Sequence, residues 1–421
     1  MAKEHYDLIV IGAGLSEQIA ATLLAGQGYR VLSFPSTFQT EQQTLACCPA
    51  LHKLLKSLKG EDLLRDSTDS VQLVTDDIRL QLGGPLSLVD ELRREFPDHH
   101  DSMLALLDRL DAWGRKLSLL LTSPAPGSSL LVLRLLALYR RQLSNNLPAR
   151  RLQQPILRIL TTLGAPKPQN ALSHLLSGLC LVTPEKLSVA EAALKWHITT
   201  RPRNLLIAEL SQLLTERYAA TGGQSIPLDE LAAIKQTGKR PDGVSLLNGK
   251  VLNARQFLVG PLPEHIELDT ALASTQAKPP CKPRRWILSG LPLQRPPMLD
   301  RQVILAGKQT LSLTWDQDSL SPGQAMLEAV RPADHTILET ETVLQQLSSL
   351  LPFTSFALTE TDYPTSERVM HNRFWPRGGL PRPAASNILL CHAAHLLPSL
   401  GVNADAILGQ AAAGSMQKRL G

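Results

Sequence analysis

Tyr6-Asp-Leu-Ile-Val-Ile-Gly12-Ala13-Gly14-Leu15-Ser16-Glu17 is the stretch that decides the fold. A β-branched and aliphatic run ends on a glycine, as a parallel strand buried on both faces does. Small and aliphatic residues then recur at helical spacing from Ser16 to Gly26 (Ile19, Ala20, Leu23, Leu24), Gly28 breaks the segment, and Tyr29 to Phe34 is extended again. Strand, helix and strand within about thirty residues make one βαβ unit. In that context the glycines read as a dinucleotide-binding turn. Gly12 permits the tight bend, and Gly14 lets a diphosphate approach the amides at the helix N-terminus, where the dipole favours anions. The third glycine position holds Glu17, which adds bulk and negative charge beside a dianionic ligand. Its plainer use is that of a first-turn acid, which stabilises the helix dipole by roughly 0.3–1 kcal/mol.

The second strand of such a unit ends on an acidic residue that binds the adenosine ribose, but Val31-Leu-Ser-Phe34-Pro35 ends on Phe and Pro. Ser36 to Thr44 supplies no arginine for a 2′-phosphate either.

The whole chain of 421 residues is too long for one ordinary core, so a nucleotide-binding domain with a second, interleaved domain is expected. Hydrophobic residues form 43% and aromatics 4%, which favours aliphatic packing of helices on a sheet and disfavours a stacking-based nucleic-acid binder. Lys and Arg exceed Asp and Glu by only 43 to 38, which is no nucleic-acid footprint. The pairs Arg140-Arg141, Arg150-Arg151 and Arg284-Arg285 read as solvated helix faces, with anionic lipid or substrate as the sharper alternative. Five cysteines without zinc-type spacing imply neither a disulfide framework nor a metal site and fit a reducing cytoplasm. The start of the sequence lacks the features of a signal peptide.

Further along, Val71 to Leu82 reads as a hairpin around Asp76-Asp77, and Leu88 to Leu121 as a helical insertion interrupted at Pro97. Leu130 to Tyr139 is very apolar but carries Arg134 and is about half the length of a spanning helix. Burial against the second domain and a monotopic helix at a membrane surface are its two readings. Leu205 to Tyr218 reads as an amphipathic helix, Gly243 to Leu252 as a hairpin turned at Asn248-Gly249, and Phe257 to Gly260 as a further strand. Asn387 to Cys391 reads as the last strand, and a small-residue helix runs from about Asn403 to Met416.

From Tyr6 to Leu32 the chain resembles the opening of the flavin-containing amine oxidase superfamily, and the phytoene desaturase and carotenoid isomerase branch is the most similar. Val71 to Leu80 leading to Asp90-Glu-Leu-Arg-Arg-Glu-Phe-Pro97 has that branch's strand pair and helix. Arg201 to Asn204, the helix to Tyr218, Gly222-Gly223, Asp242-Gly243 and Asn248-Gly249 follow in the family's order. So do Asn387 to Cys391, His392, Gly401-Val402-Asn403 and Ala406 to Ala413.

The resemblance implies an α/β fold with a Rossmann-type FAD/NAD(P)-binding domain from residues 1–75, 200–262 and 384–421. An interleaved α+β substrate or cap domain would take residues 76–199 and 263–383. It implies FAD as cofactor, and it places Gly12, Ala13, Gly14, Leu15, Ser16, Glu17, Phe34, Cys391, His392, Gly401 and Val402 at the cofactor. The family's terminal Gly-Asp pair is absent, and Phe34 to Pro49 contains no glycine where the family has a glycine-rich segment beside the flavin ring. Together with Glu17 and Phe34, these losses point toward weak, altered or absent FAD binding.

Two functions are therefore expected side by side. One is an FAD-dependent oxidoreductase of the desaturase or amine oxidase type acting on or holding a lipophilic small molecule, with peripheral membrane contact. The other is a non-catalytic protein that has lost FAD and serves as a binding or assembly module with a protein partner. Catalytic side chains are not nominated, because in such enzymes the cofactor carries the hydride chemistry. His392 and His395 read as structural histidines with ligand contact as the sharper alternative, and Asp98-His99-His100-Asp101 as a solvated turn. No nucleophile-elbow, P-loop or H-E-x-x-H motif is present.

Overall fold

The opening run forms β1 (His5–Ile11), the glycine turn leads into α1 (Leu15–Ala25), and β2 (Val31–Phe34) returns in parallel beside β1 with Ile11 opposite Phe34. The structure, a computed structural model, describes residues 5–12, 14–35, 43–44, 48–66, 70–83, 87–121, 148–200, 203–237, 240–260, 262–263, 276–277, 284–291, 299–315, 323–329, 339–352, 357–360, 367–370, 382–385, 387–391 and 402–421.

After α2 (Pro49–Leu58) come β3 (Val71–Val74) and β4 (Arg79–Leu82), an antiparallel hairpin whose turn is tied by the Thr75 hydroxyl accepting from the Asp77 and Ile78 amides. α3 (Leu88–Glu95) starts at Ser87, whose hydroxyl accepts from the Asp90 amide, and Pro97 separates it from α4 (His100–Leu121). The sequence from Asp98 to Asp101 makes the partly exposed start of α4, with His100 Nδ1 2.7 Å from the Pro97 carbonyl. α5 (Pro166–Cys180) and α6 (Val189–Thr199) follow. α7 (Ile207–Ala220) then closes at Gly222, which takes φ +81°.

β5 (Gln224–Ser225), β6 (Leu231–Thr237), β7 (Arg240–Leu246) and β8 (Val251–Val259) complete much of the first sheet. The second sheet adds β9 (Arg284–Ser289), β10 (Gln302–Ala306), β11 (Thr310–Thr314), β12 (Ala325–Ala329) and, after α8 (Thr340–Leu350), β13 (Ala357–Glu360). β14 (Arg382–Ala385), β15 (Ile388–Leu390) and α9 (Val402–Leu420) return to the first sheet.

The first sheet runs β14-β15-β8-β1-β2-β5, parallel from β15 to β5 and antiparallel only at β14. β6 and β7 extend it as an antiparallel ribbon from the N-terminal end of β8. Alternation sends Leu8 and Val10 into the core shared with α1, α2, α4 and α9, and sends Ile9 and Ile11 into a second core under the ribbon, which Tyr6 joins from the start of the strand. The second sheet runs β13-β9-β12-β11-β10-β3-β4, with a third core on the face that α8 covers.

Several expectations need adjustment. Val71–Val74, N-terminal to the expected division at residue 75, pairs in parallel with Gln302–Leu305 in the second sheet. Val251–Val259 is one strand rather than a hairpin arm and a separate strand, because its C-terminal half keeps pairing with β1 through the polar residues Asn253 and Gln256. Arg203–Leu206 is a short strand, and the helix begins only at Ile207. The apolar run 130–139 and the Arg140-Arg141 pair lie outside the described residues, among which no helix is long and apolar enough to cross a membrane.

Candidate functional site: the glycine turn at the sheet edge

The C-terminal ends of β2, β1, β8 and β15 lie side by side, which in an open parallel sheet is the edge where ligands bind. Gly260 N–H donates to the Ile11 carbonyl and Cys391 N–H to the Val259 carbonyl, both at 2.8 Å, so Gly12, Gly260 and Cys391 stand in a row facing the start of α1. Gly12 takes φ +149° and makes the bend, and Gly14 precedes the first turn of the helix without offering a side-chain cap.

Glu17 is 1% exposed and turns its side chain back into this bend. A methyl group at Gly14 would overlap Glu17 Oε2, one at Gly260 would overlap Oε1, and one at Gly12 would lie 3.1 Å from Cγ. The carboxyl group thus sits in a cradle that three glycines leave open. From α9, Asp405 takes the Ser16 amide as a hydrogen-bond donor at 3.3 Å. Burial pushes the Asp405 carboxyl up to about 7, against the hydrogen bonds from Ser16.

Burial first, and the charge of Glu17 second, hold the Cys391 thiol well above its usual range. The buried Cys48 thiol at the start of α2 is pushed up to about 11, while its amide donates to Asn403 Oδ1 at 2.8 Å. Neither cysteine is a reactive thiolate. Among the described residues no three His, Cys, Asp or Glu side chains gather as a metal site needs.

Gly12, Gly14, Leu15, Ser16, Glu17 and Cys391 therefore meet at one place, and Val402 starts the helix that closes it. Ala13, His392 and Gly401 lie outside the described residues. Phe34 ends β2 where a ribose-binding acid would stand, but it is fully buried beneath the ribbon and serves as core. Two contributors were missed in the sequence. Gly260 is signalled by a glycine directly after an apolar strand, and Asp405 by an acid in the first turn of a helix of small residues.

α1 and α9 cross where Gly409 leaves room. An alanine methyl there would lie 2.7 Å from Ile19 Cβ and 2.8 Å from the Ser16 carbonyl. Gly409→Ala is expected to lose roughly 1–3 kcal/mol in urea unfolding, because backbone on one side cannot yield. A loss under about 0.5 kcal/mol would show that the crossing has slack.

These features define an α/β protein with two large sheets and a dinucleotide-type turn at the edge of the parallel one. No family model matches the chain, and no curated protein does. Among solved structures, cyclohexylamine oxidase from Brevibacterium oxydans IH-35A is similar over 98% of this chain and 98% of its own, at 14% identity and a TM-score of 0.58. Putrescine oxidase bound to putrescine is similar over 97% and 98%, at 14% identity and a TM-score of 0.59. An oxidoreductase from Methanosarcina mazei covers 94% and 98%, at 12% identity and a TM-score of 0.54. The chain has the fold of these proteins from end to end.

A dinucleotide held in the ordinary way does not fit the turn as it stands. Its diphosphate would meet the Glu17 carboxyl group inside the cradle and would have to compete with Asp405 for the Ser16 amide.

Proposed function

We propose that this chain descends from flavin-dependent oxidoreductases of the amine oxidase and phytoene desaturase kind and holds a lipophilic small molecule or a protein partner without an FAD bound in the ordinary manner. The observation that carries this reading is the Glu17 carboxyl group folded into the glycine cradle. Phe34 in the core in place of a ribose-binding acid supports it. The lipophilic ligand is supported by the family resemblance. Fold alone does not dictate chemistry, so the site decides.

FAD-dependent oxidation is the second reading, favoured by the retained bend at Gly12 and by the whole-length likeness to oxidases. Purification of the full chain, followed by flavin absorbance and mass identification of any released nucleotide, separates the two. A colourless protein that FAD does not reconstitute is the expected result. A yellow preparation with one FAD per chain would overturn the first reading.

A further inference from the structure

We infer that the Glu17 carboxyl group is an internal stand-in for a dinucleotide's diphosphate, and that it shuts a nucleoside-diphosphate site whose surrounding turn is otherwise kept. The inference rests on the nucleotide-free reading above and assigns its cause to one side chain.

The glycine signature is usually accounted for by a ligand, since only a bare backbone lets a diphosphate come close. Here the same glycines are needed by Glu17. Methyl groups at Gly14 and Gly260 would overlap its two carboxyl oxygens, and one at Gly12 would crowd its Cγ. Gly14 and Gly260 are therefore explained by what the chain puts in the cradle itself, and Gly12 by its φ of +149° and the Gly260 backbone beside it. The helix amide that would be offered to phosphate is also used internally, by Asp405. Two carboxyl groups thus lie at a helix N-terminus, which favours negative charge whichever molecule supplies it.

Glu17 opposes a ligand in two ways that substitutions can separate. Its volume fills the cradle, and its charge repels an anion at contact distance. Glu17→Gly removes both and restores the third glycine of the pattern, whereas Glu17→Gln removes the charge and keeps the volume. The class of ligand that would enter is a nucleoside diphosphate or a dinucleotide containing one. Ribose affinity stays limited, because the Phe34 side chain offers no hydrogen bond.

The test titrates full-length wild type, Glu17→Gly and Glu17→Gln with FAD, ADP and riboflavin, read by thermal melting and, for the flavins, by fluorescence quenching. Wild type is expected to respond to none. Glu17→Gly is expected to bind FAD and ADP at least about tenfold more tightly than wild type and to gain nothing for riboflavin, which lacks the diphosphate. Glu17→Gln should gain much less. A Glu17→Gly protein that melts cooperatively yet gains neither FAD nor ADP would overturn the inference, and so would a Glu17→Gln gain equal to that of Glu17→Gly. If the glycine variant does not fold, Glu17→Ala carries the same expectation. Tight FAD binding by wild type overturns the nucleotide-free reading along with the inference, whereas silence from every folded variant overturns the inference alone.

Discussion

Phe257→Ala should lower the free energy of unfolding by about 3–5 kcal/mol, the range for deleting a fully buried aromatic ring. Phe257 stands in the middle of the first sheet, opposite Ile9 of β1 and Ile388 of β15, with its amide donating to the Asn387 carbonyl at 2.8 Å. Its ring is fully buried with Tyr6, Ile11, Phe34 and Val244 between the sheet and the ribbon. Rigid strands bound the space on one side and the ribbon on the other, so little of the void can collapse. Phe257→Leu leaves most of that volume filled and should cost less than about 1.5 kcal/mol. Urea unfolding of both variants checks the pair. An alanine loss near 1 kcal/mol would mean that the ribbon settles onto the sheet and that the two are not tightly packed.

The elements that were legible in the sequence are those whose evidence is local. The strand, bend and helix from Tyr6 to Ala25 could be read because apolar periodicity changes from continuous to helical at Gly12. The hairpin from Val71 to Leu82 was legible from alternation around two aspartates, and the break at Pro97 from a residue that cannot continue a helix. The sheet that Val71–Val74 joins was not legible, since its partner Gln302–Leu305 lies far along the chain and strand pairing leaves no local mark. Val251–Val259 was divided for a related reason. Asn253, Arg255 and Gln256 interrupt its apolar pattern, and only pairing with β1 on one side explains why they belong to one strand.

The candidate site divides in the same way. Glu17 could be recognised as a fault because it replaces a glycine at a fixed offset from Gly12 and Gly14. Where its side chain goes is set by Gly260 and by the α9 helix, which no local pattern connects to it. Phe34 is by its side chain alone without a hydrogen bond to offer a ribose, but its part in the core under the ribbon depends on strands more distant in sequence. Reading a motif residue by residue thus shows what a ligand would lack. It does not show which side chain has taken the ligand's place.

Asp405 should make stability depend on pH in a window where ordinary carboxylates have finished titrating. Burial raises its folded value from 3.8 to about 7, so between about pH 4 and pH 7 the folded chain holds a proton that the unfolded chain has released. Stability is then greatest below the unfolded value, falls as pH rises through the window, and levels off above about pH 7. A shift of this size corresponds to at most about 4 kcal/mol across the window. Ser16 from α1 donates to it, Cys391 beyond β15 lies within electrostatic reach of both Asp405 and Glu17, and Cys48 is close by at Asn403. The two thiols are held above the window and contribute no slope within it. Asp405→Asn keeps the shape and removes the titration, so wild type should gain stability relative to the variant as pH falls from about 7 to 4. Parallel curves over that interval would show that Asp405 is better solvated than its place beside Ser16 implies.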